Sequence, residues 1–190
     1  MPLRRPKRLD TFDYIGRYAY SLTICTYQRH RAFADREFAC DAVDRLLRTA
    51  KKFGFELFAY CLMPDHVHLI LLGERGDSDL EAFVRSWNTQ LGFQWRRRTG
   101  GRLWQGGYFE RVIRSDVNLY LAARYVVMNP VRAGLVESPG QYEFTGSTRY
   151  TIPELLDDGF SAVNSLPPEL QDEDDEPKGS SLQERKGRVG

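Results

Sequence analysis

Residues 55–72 read FELFAYCLMPDHVHLILL: an apolar, aromatic-rich run up to Met63, a Pro64-Asp65 turn, and a second apolar run that starts at His66. So short a connection returns the chain antiparallel to itself, so the stretch predicts a β-hairpin with strands at 55–63 and 66–72. Side chains alternate along a strand, which sends His66 and His68 to one face and Val67 to the other. The chain has only three histidines, and two of them share this face.

Outward from the hairpin, YAYSLTICTY at 18–27 has the β-branched and aromatic content of a strand. Between 37 and 53 the apolar residues Phe38, Val43, Leu46, Leu47 and Ala50 recur at mostly three- and four-residue spacing, which predicts an amphipathic helix ending before Gly54. After the hairpin, Ser78 or Asp79 caps a helix running to Arg98, with Leu80, Phe83, Val84, Trp87 and Leu91 on its apolar face. YFERVIR at 108–114 reads as a fourth strand, and Ser115 or Asp116 then caps a helix over 117–128 that Pro130 stops. The order βαββαβ plus a helix predicts an α+β, ferredoxin-like or RRM-like sandwich with an antiparallel sheet and an added C-terminal helix. One sheet face carries helices and the other is expected to stay available for a site.

Eleven Phe, three Trp and ten Tyr among 190 residues supply one ordinary core, so a single folded domain is expected over 18–150, after a basic arm at 1–17. The stretch 151–190 is expected to be an acidic extension, disordered from about 167, where almost no apolar residues remain. No apolar run is long enough for a membrane span and no apolar region follows the basic start, so a cytoplasmic protein with no membrane partner is expected. Cys25, Cys40 and Cys61 form an odd set without CxxC spacing, which argues against a disulfide scaffold or a thiolate zinc site. The formal charge of +1 hides an asymmetry: 10 acidic and 4 basic residues from Glu154 onward leave 23 basic and 16 acidic before it. The body is basic, which suits a polyanion.

Two imidazoles on one strand face make a bidentate metal-ligand arrangement, and without thiolates they suit a divalent ion that keeps positions open for substrate oxygens. Two hydrogen-bonded strand histidines with no metal are the plainer alternative. On the last helix, RYVVMNP sets Tyr125 four residues before Asn129, about 40° apart around the axis, on a shared face. Tyr120 lies about 140° away from Tyr125 and addresses a different side. Candidate phosphate contacts are Arg4, Arg5, Lys7 and Arg8 in the arm, together with Arg85, Arg96, Arg97, Arg98 and Arg114. Helix capping competes as the explanation for Arg96 to Arg98. Asp65 and Glu110, the acidic residues nearest these motifs, could tune a histidine or assist a metal, but a turn aspartate after proline and an exposed strand glutamate need no such role.

MPDHVHLIL, GGYFERVIRS and YVVMNPVRAGLV, in this order and spacing, resemble the single-tyrosine HUH transposases of the IS200-like superfamily, in the REP-associated tyrosine transposase branch. The resemblance implies an RRM-like fold, Mg²⁺ or Mn²⁺ held by His66 and His68, and Tyr125 as nucleophile. A polar residue one turn after the tyrosine completes the metal site in such enzymes; here it is Asn129, where many relatives have glutamine. The implied activity is cleavage and rejoining of single-stranded, hairpin-forming DNA through a 5′-phosphotyrosine, with a homodimer exchanging the catalytic helix as one admissible assembly. A non-catalytic RRM-like nucleic-acid binder and a water-using metal nuclease are the competing readings; the first needs no metal and the second needs no Tyr125.

Overall fold

The computed structural model describes residues 13–157. The hairpin forms as read: β2 (Phe55–Met63) and β3 (His66–Gly73) pair antiparallel, with Met63 opposite His66 and Cys61 opposite His68. β1 (Ala19–Cys25) pairs with the other side of β3, placing Cys25 opposite His66 and Thr23 opposite His68. β4 (Phe109–Ile113) pairs with β1, and a two-residue strand, β5 (Thr145–Gly146), pairs with β2. The order β4-β1-β3-β2-β5, antiparallel throughout, sets β3 with its two histidines at the centre, between β1 and β2. This is the expected α+β fold with one short strand added.

Two helices cover one face. α1 (Arg36–Phe53) starts at Asp35, whose carboxylate accepts from the Phe38 amide, and ends at Gly54, whose φ of 69° supplies the left-handed C-cap. α2 (Leu80–Thr99) is capped by Asp79, which accepts from the Ala82 amide. Ser78 acts differently, since it is buried, donates its hydroxyl to the Gly54 carbonyl and so fastens the two helix ends together. Phe38 and Leu46 of α1 and Phe83, Trp87 and Leu91 of α2 pack against Leu22, Ile24, Leu57, Val67, Leu69 and Leu71 of the sheet. Trp87 is fully buried and donates its indole N–H to the Ala42 carbonyl, a core role.

The opposite face is not left open. α3 (Asp116–Val127), capped by Ser115 through the Asn118 amide, sets Leu119, Ala123, Val126 and Val127 onto Phe58, Ala59, Cys61, Ile70, Leu72 and Ile113. The reason lies in the strands: β3 is apolar on both faces past His68, so its second face also needs a cover. α4 (Asn129–Arg132) follows directly, and α5 (Ile152–Leu156) buries Leu155 in the same cluster.

The packed domain also exceeds the expected limits of 18–150. Tyr14 is buried in the first cluster, Ile15 bridges to Asp79, and Leu155 closes the second. The arm residues Arg4, Arg5, Lys7 and Arg8 and the acidic stretch beyond Asp157 lie outside the described residues. Among the described residues no helix is long and apolar enough to cross a membrane.

Candidate active site

Four residues of β3 project onto the α3 side: His66, His68, Ile70 and Leu72. Ile70 and Leu72 lie under α3, whereas His66 and His68 stand beyond the buried cluster, where Tyr125 of α3 comes down beside them. The alternation read from the sequence is therefore the alternation in space, with Val67 in the opposite core.

The imidazoles converge. His66 Nε2 and His68 Nε2 lie 3.0 Å apart, and each ring is held from behind through its Nδ1. His66 Nδ1 donates to Asp65 Oδ1 at 2.6 Å, and His68 Nδ1 meets Thr23 Oγ1 at 3.0 Å. A carboxylate only accepts, so the His66 proton sits on Nδ1 and its Nε2 presents a lone pair. The facing Nε2 of His68 must then either donate a proton to that lone pair or share a cation with it. Thr23 serves both states, because a hydroxyl can donate to His68 Nδ1 or accept from it.

Electrostatics keep both rings neutral. Burial lowers the His66 pKa below its ordinary value, with the Arg29 charge adding to that and the Asp65 carboxylate opposing it. Burial, His66 and the Arg29 charge push His68 down to about 4. Burial works to raise the Asp65 pKa, but the His66 hydrogen bond and the Arg29 guanidinium outweigh it and hold it below the usual carboxylate range. Neutral imidazoles fixed by outer hydrogen bonds are what a divalent cation requires of its ligands. Among the described residues no third His, Cys, Asp or Glu joins the pair.

Arg29 is a site residue that motif and spacing do not point to. Its Nε donates to Asp65 Oδ2 at 2.7 Å, completing the chain Arg29, Asp65, His66, His68, Thr23. Its Nη2 also approaches His66 Nδ1 to 3.3 Å, but a nitrogen giving its proton to a carboxylate has no lone pair for another donor, so this approach is a contact and not a hydrogen bond. Gln28 and Arg29 both have left-handed φ, 51° and 57°, a strained conformation for two successive non-glycine residues. Buried Thr26 holds that turn in place: its hydroxyl is shared between the His30 and Asp65 carbonyls at 2.7 and 2.8 Å, which ties the loop to the hairpin turn.

Tyr125 is 49% exposed, and its ring meets His68 edge-on with centroids 6.1 Å apart. Asn129 serves the helix end: its amide nitrogen donates to the Tyr125 and Val126 carbonyls at 2.8 and 3.3 Å. Among the described residues none of the hydrogen bonds of Asn129 goes to either histidine, and Oδ1 is the atom it could offer to a cation.

The candidate phosphate contacts divide. Arg98 is paired with Asp35 and Glu37 at the start of α1, and Arg97 lies over the exposed Phe93 ring. Arg96 to Arg98 occupy the last turn of α2, on the sheet face opposite the histidines, so their role as C-terminal charge is met locally. Arg85 borders a surface cleft with Gln105, Gly107 and Tyr108, and Arg114 borders another between β4 and α3.

The family model described as "Transposase IS200 like" matches residues 15–129. A Haemophilus influenzae protein assigned as a REP-associated tyrosine transposase is 29% identical over 131 residues, covering 63% of this chain and 74% of that protein. The REP-associated tyrosine transposase of Escherichia coli K12 is 26% identical over 101 residues, covering 53% of this chain and 59% of that one. Among solved structures, a REP-associated tyrosine transposase bound to a REP hairpin superposes with a TM-score of 0.60 at 21% identity, over 75% of this chain and 82% of that chain.

Proposed function

The chain belongs to the family of IS200-like transposases, and from that premise we propose that it cleaves and rejoins single-stranded, hairpin-forming DNA with Tyr125 as its nucleophile. The observation that carries the proposal is the placement, within one chain, of an exposed tyrosine against two imidazoles whose Nε2 atoms face each other at 3.0 Å. His66 and His68, with the Asn129 amide oxygen, would hold Mg²⁺ or Mn²⁺, which supplies charge neutralisation for the non-bridging oxygens of the scissile phosphate.

The residues do the rest. Asp65 and Thr23 fix the imidazoles, so the donor set is organised before substrate arrives. The Tyr125 hydroxyl oxygen attacks phosphorus, a tyrosyl O–P bond forms, the bond to the 3′ oxygen breaks, and the phenol proton leaves to water as the 3′ oxygen gains one. The 5′-phosphotyrosine keeps the phosphodiester energy, so a 3′-OH can reverse the step and rejoin DNA without ATP. A hairpin partner is consistent with the REP-hairpin complex that shares this fold.

The test is a denaturing gel. Full-length protein with Mg²⁺ or Mn²⁺ and a single-stranded REP-type hairpin oligonucleotide should give a shifted covalent band, removed by EDTA and absent in Tyr125→Phe. His66→Ala and His68→Ala should lose the band yet retain hairpin binding. Cleavage at full rate by Tyr125→Phe would replace this mechanism with a water-using nuclease.

A further inference from the structure

The guanidinium of Arg132 lies over the ring of Tyr125, with its central carbon 4.4 Å from the ring centroid. They are seven positions apart in the chain, and the helix is interrupted between them where α3 gives way to α4 at Met128 and Asn129. The Arg132 backbone is pinned there, its amide bonded to the Met128 carbonyl at 3.0 Å, and Gly134 closes α4 with a φ of 68°. Among the described residues the Arg132 side chain has no acidic partner and no hydrogen-bond acceptor, in contrast to Arg29, Arg36, Arg45, Arg98 and Arg149, each of which has a carboxylate. The phenol is thus bounded by the His68 ring at its edge and by an unpaired cation on its face.

We propose that Arg132 is a catalytic residue of strand cleavage: its N–H groups bind a non-bridging oxygen of the phosphate that Tyr125 attacks and then carries. The ring contact leaves the guanidinium N–H groups without an acceptor among the described residues, and a phosphate attached to the phenolic oxygen comes within their reach. Charge on the phosphate oxygens grows as the tyrosyl O–P bond forms and the bond to the 3′ oxygen breaks, and a fixed cation stabilises that state more than the bound substrate. No further reactant is needed, and the same contact serves the reverse step. The inference rests on the tyrosine chemistry proposed above.

Single-turnover adduct formation on a saturating hairpin oligonucleotide separates the two ideas. Arg132→Ala should slow the adduct by about 100-fold, the size seen when one transition-state donor is removed, while its oligonucleotide affinity changes by less than about threefold. Arg132→Lys should recover part of the rate, and added methylguanidinium should speed Arg132→Ala but leave Tyr125→Phe inactive. A wild-type rate in Arg132→Ala overturns the assignment. So does a loss that follows weaker DNA binding, or one that methylguanidinium leaves unchanged, since either marks a merely structural or docking residue. An absent adduct with the wild-type chain would instead refute the tyrosine chemistry itself.

Discussion

His68 has the largest shift of the site, down to about 4 from 6.5, with burial as the leading cause. A histidine whose folded pKa lies below its unfolded value binds fewer protons when folded. Stability is therefore fully present above about 6.5 and is lost as pH falls from there through about 4. The loss attributable to His68 should reach roughly 2–3 kcal/mol at the acid end. Urea denaturation of metal-free protein between these pH values should show it, and His68→Gln should flatten the profile; an unchanged slope in that variant would contradict the burial argument. The histidines were legible in the sequence because strand alternation alone sets their common face. Asp65 reads there first as a turn residue and second as a group that could tune a histidine, while Thr23, 45 positions from His68, and Arg29, 36 from Asp65, left no local trace. Arg132 was also invisible, since its approach to Tyr125 depends on how α4 leaves α3.

Among the elements, α3 decides the site, because it both closes the second sheet face and delivers Tyr125. Its start depends on the Ser115 hydroxyl accepting from the Asn118 amide. Ser115→Ala should cost about 1 kcal/mol, seen as a lower urea midpoint. Its adduct rate on bound hairpin should stay near wild type, since Tyr125 lies in the last turn, held by Val126 and Val127 in the core; a large rate loss would mean that the cap positions the nucleophile. The four main strands and three long helices were legible because each has a strong period and a polar or glycine stop. α4, α5 and β5 were not, being two to five residues long and fixed by distant partners, as when Tyr142 donates to the Leu62 carbonyl and Thr145 to that of Tyr60. The cover over the second face was missed for a related reason: an apolar run such as LILL shows that both faces are buried but not which helix covers each.

At the scale of the whole molecule, the histidine strand, the helix that carries Tyr125 and the α4 arginine meet within a single chain, at the edge of a core that α3 shares with the sheet. Motif order between Met63 and Val136 made the family legible, whereas surface charge alone pointed to DNA at arginines such as Arg98 that the fold pairs with its own carboxylates. The decisive experiment is mass spectrometry of the trypsin-digested covalent adduct. Cleavage after Arg124 and Arg132 isolates the peptide YVVMNPVR, in which Tyr125 is the only hydroxyl-bearing residue. That peptide should carry the nucleotide remnant through a 5′-phosphate, and the released strand should end in a 3′-OH. A remnant on the preceding peptide with Tyr120, or cut DNA with no nucleotide on any peptide, would contradict the proposed chemistry.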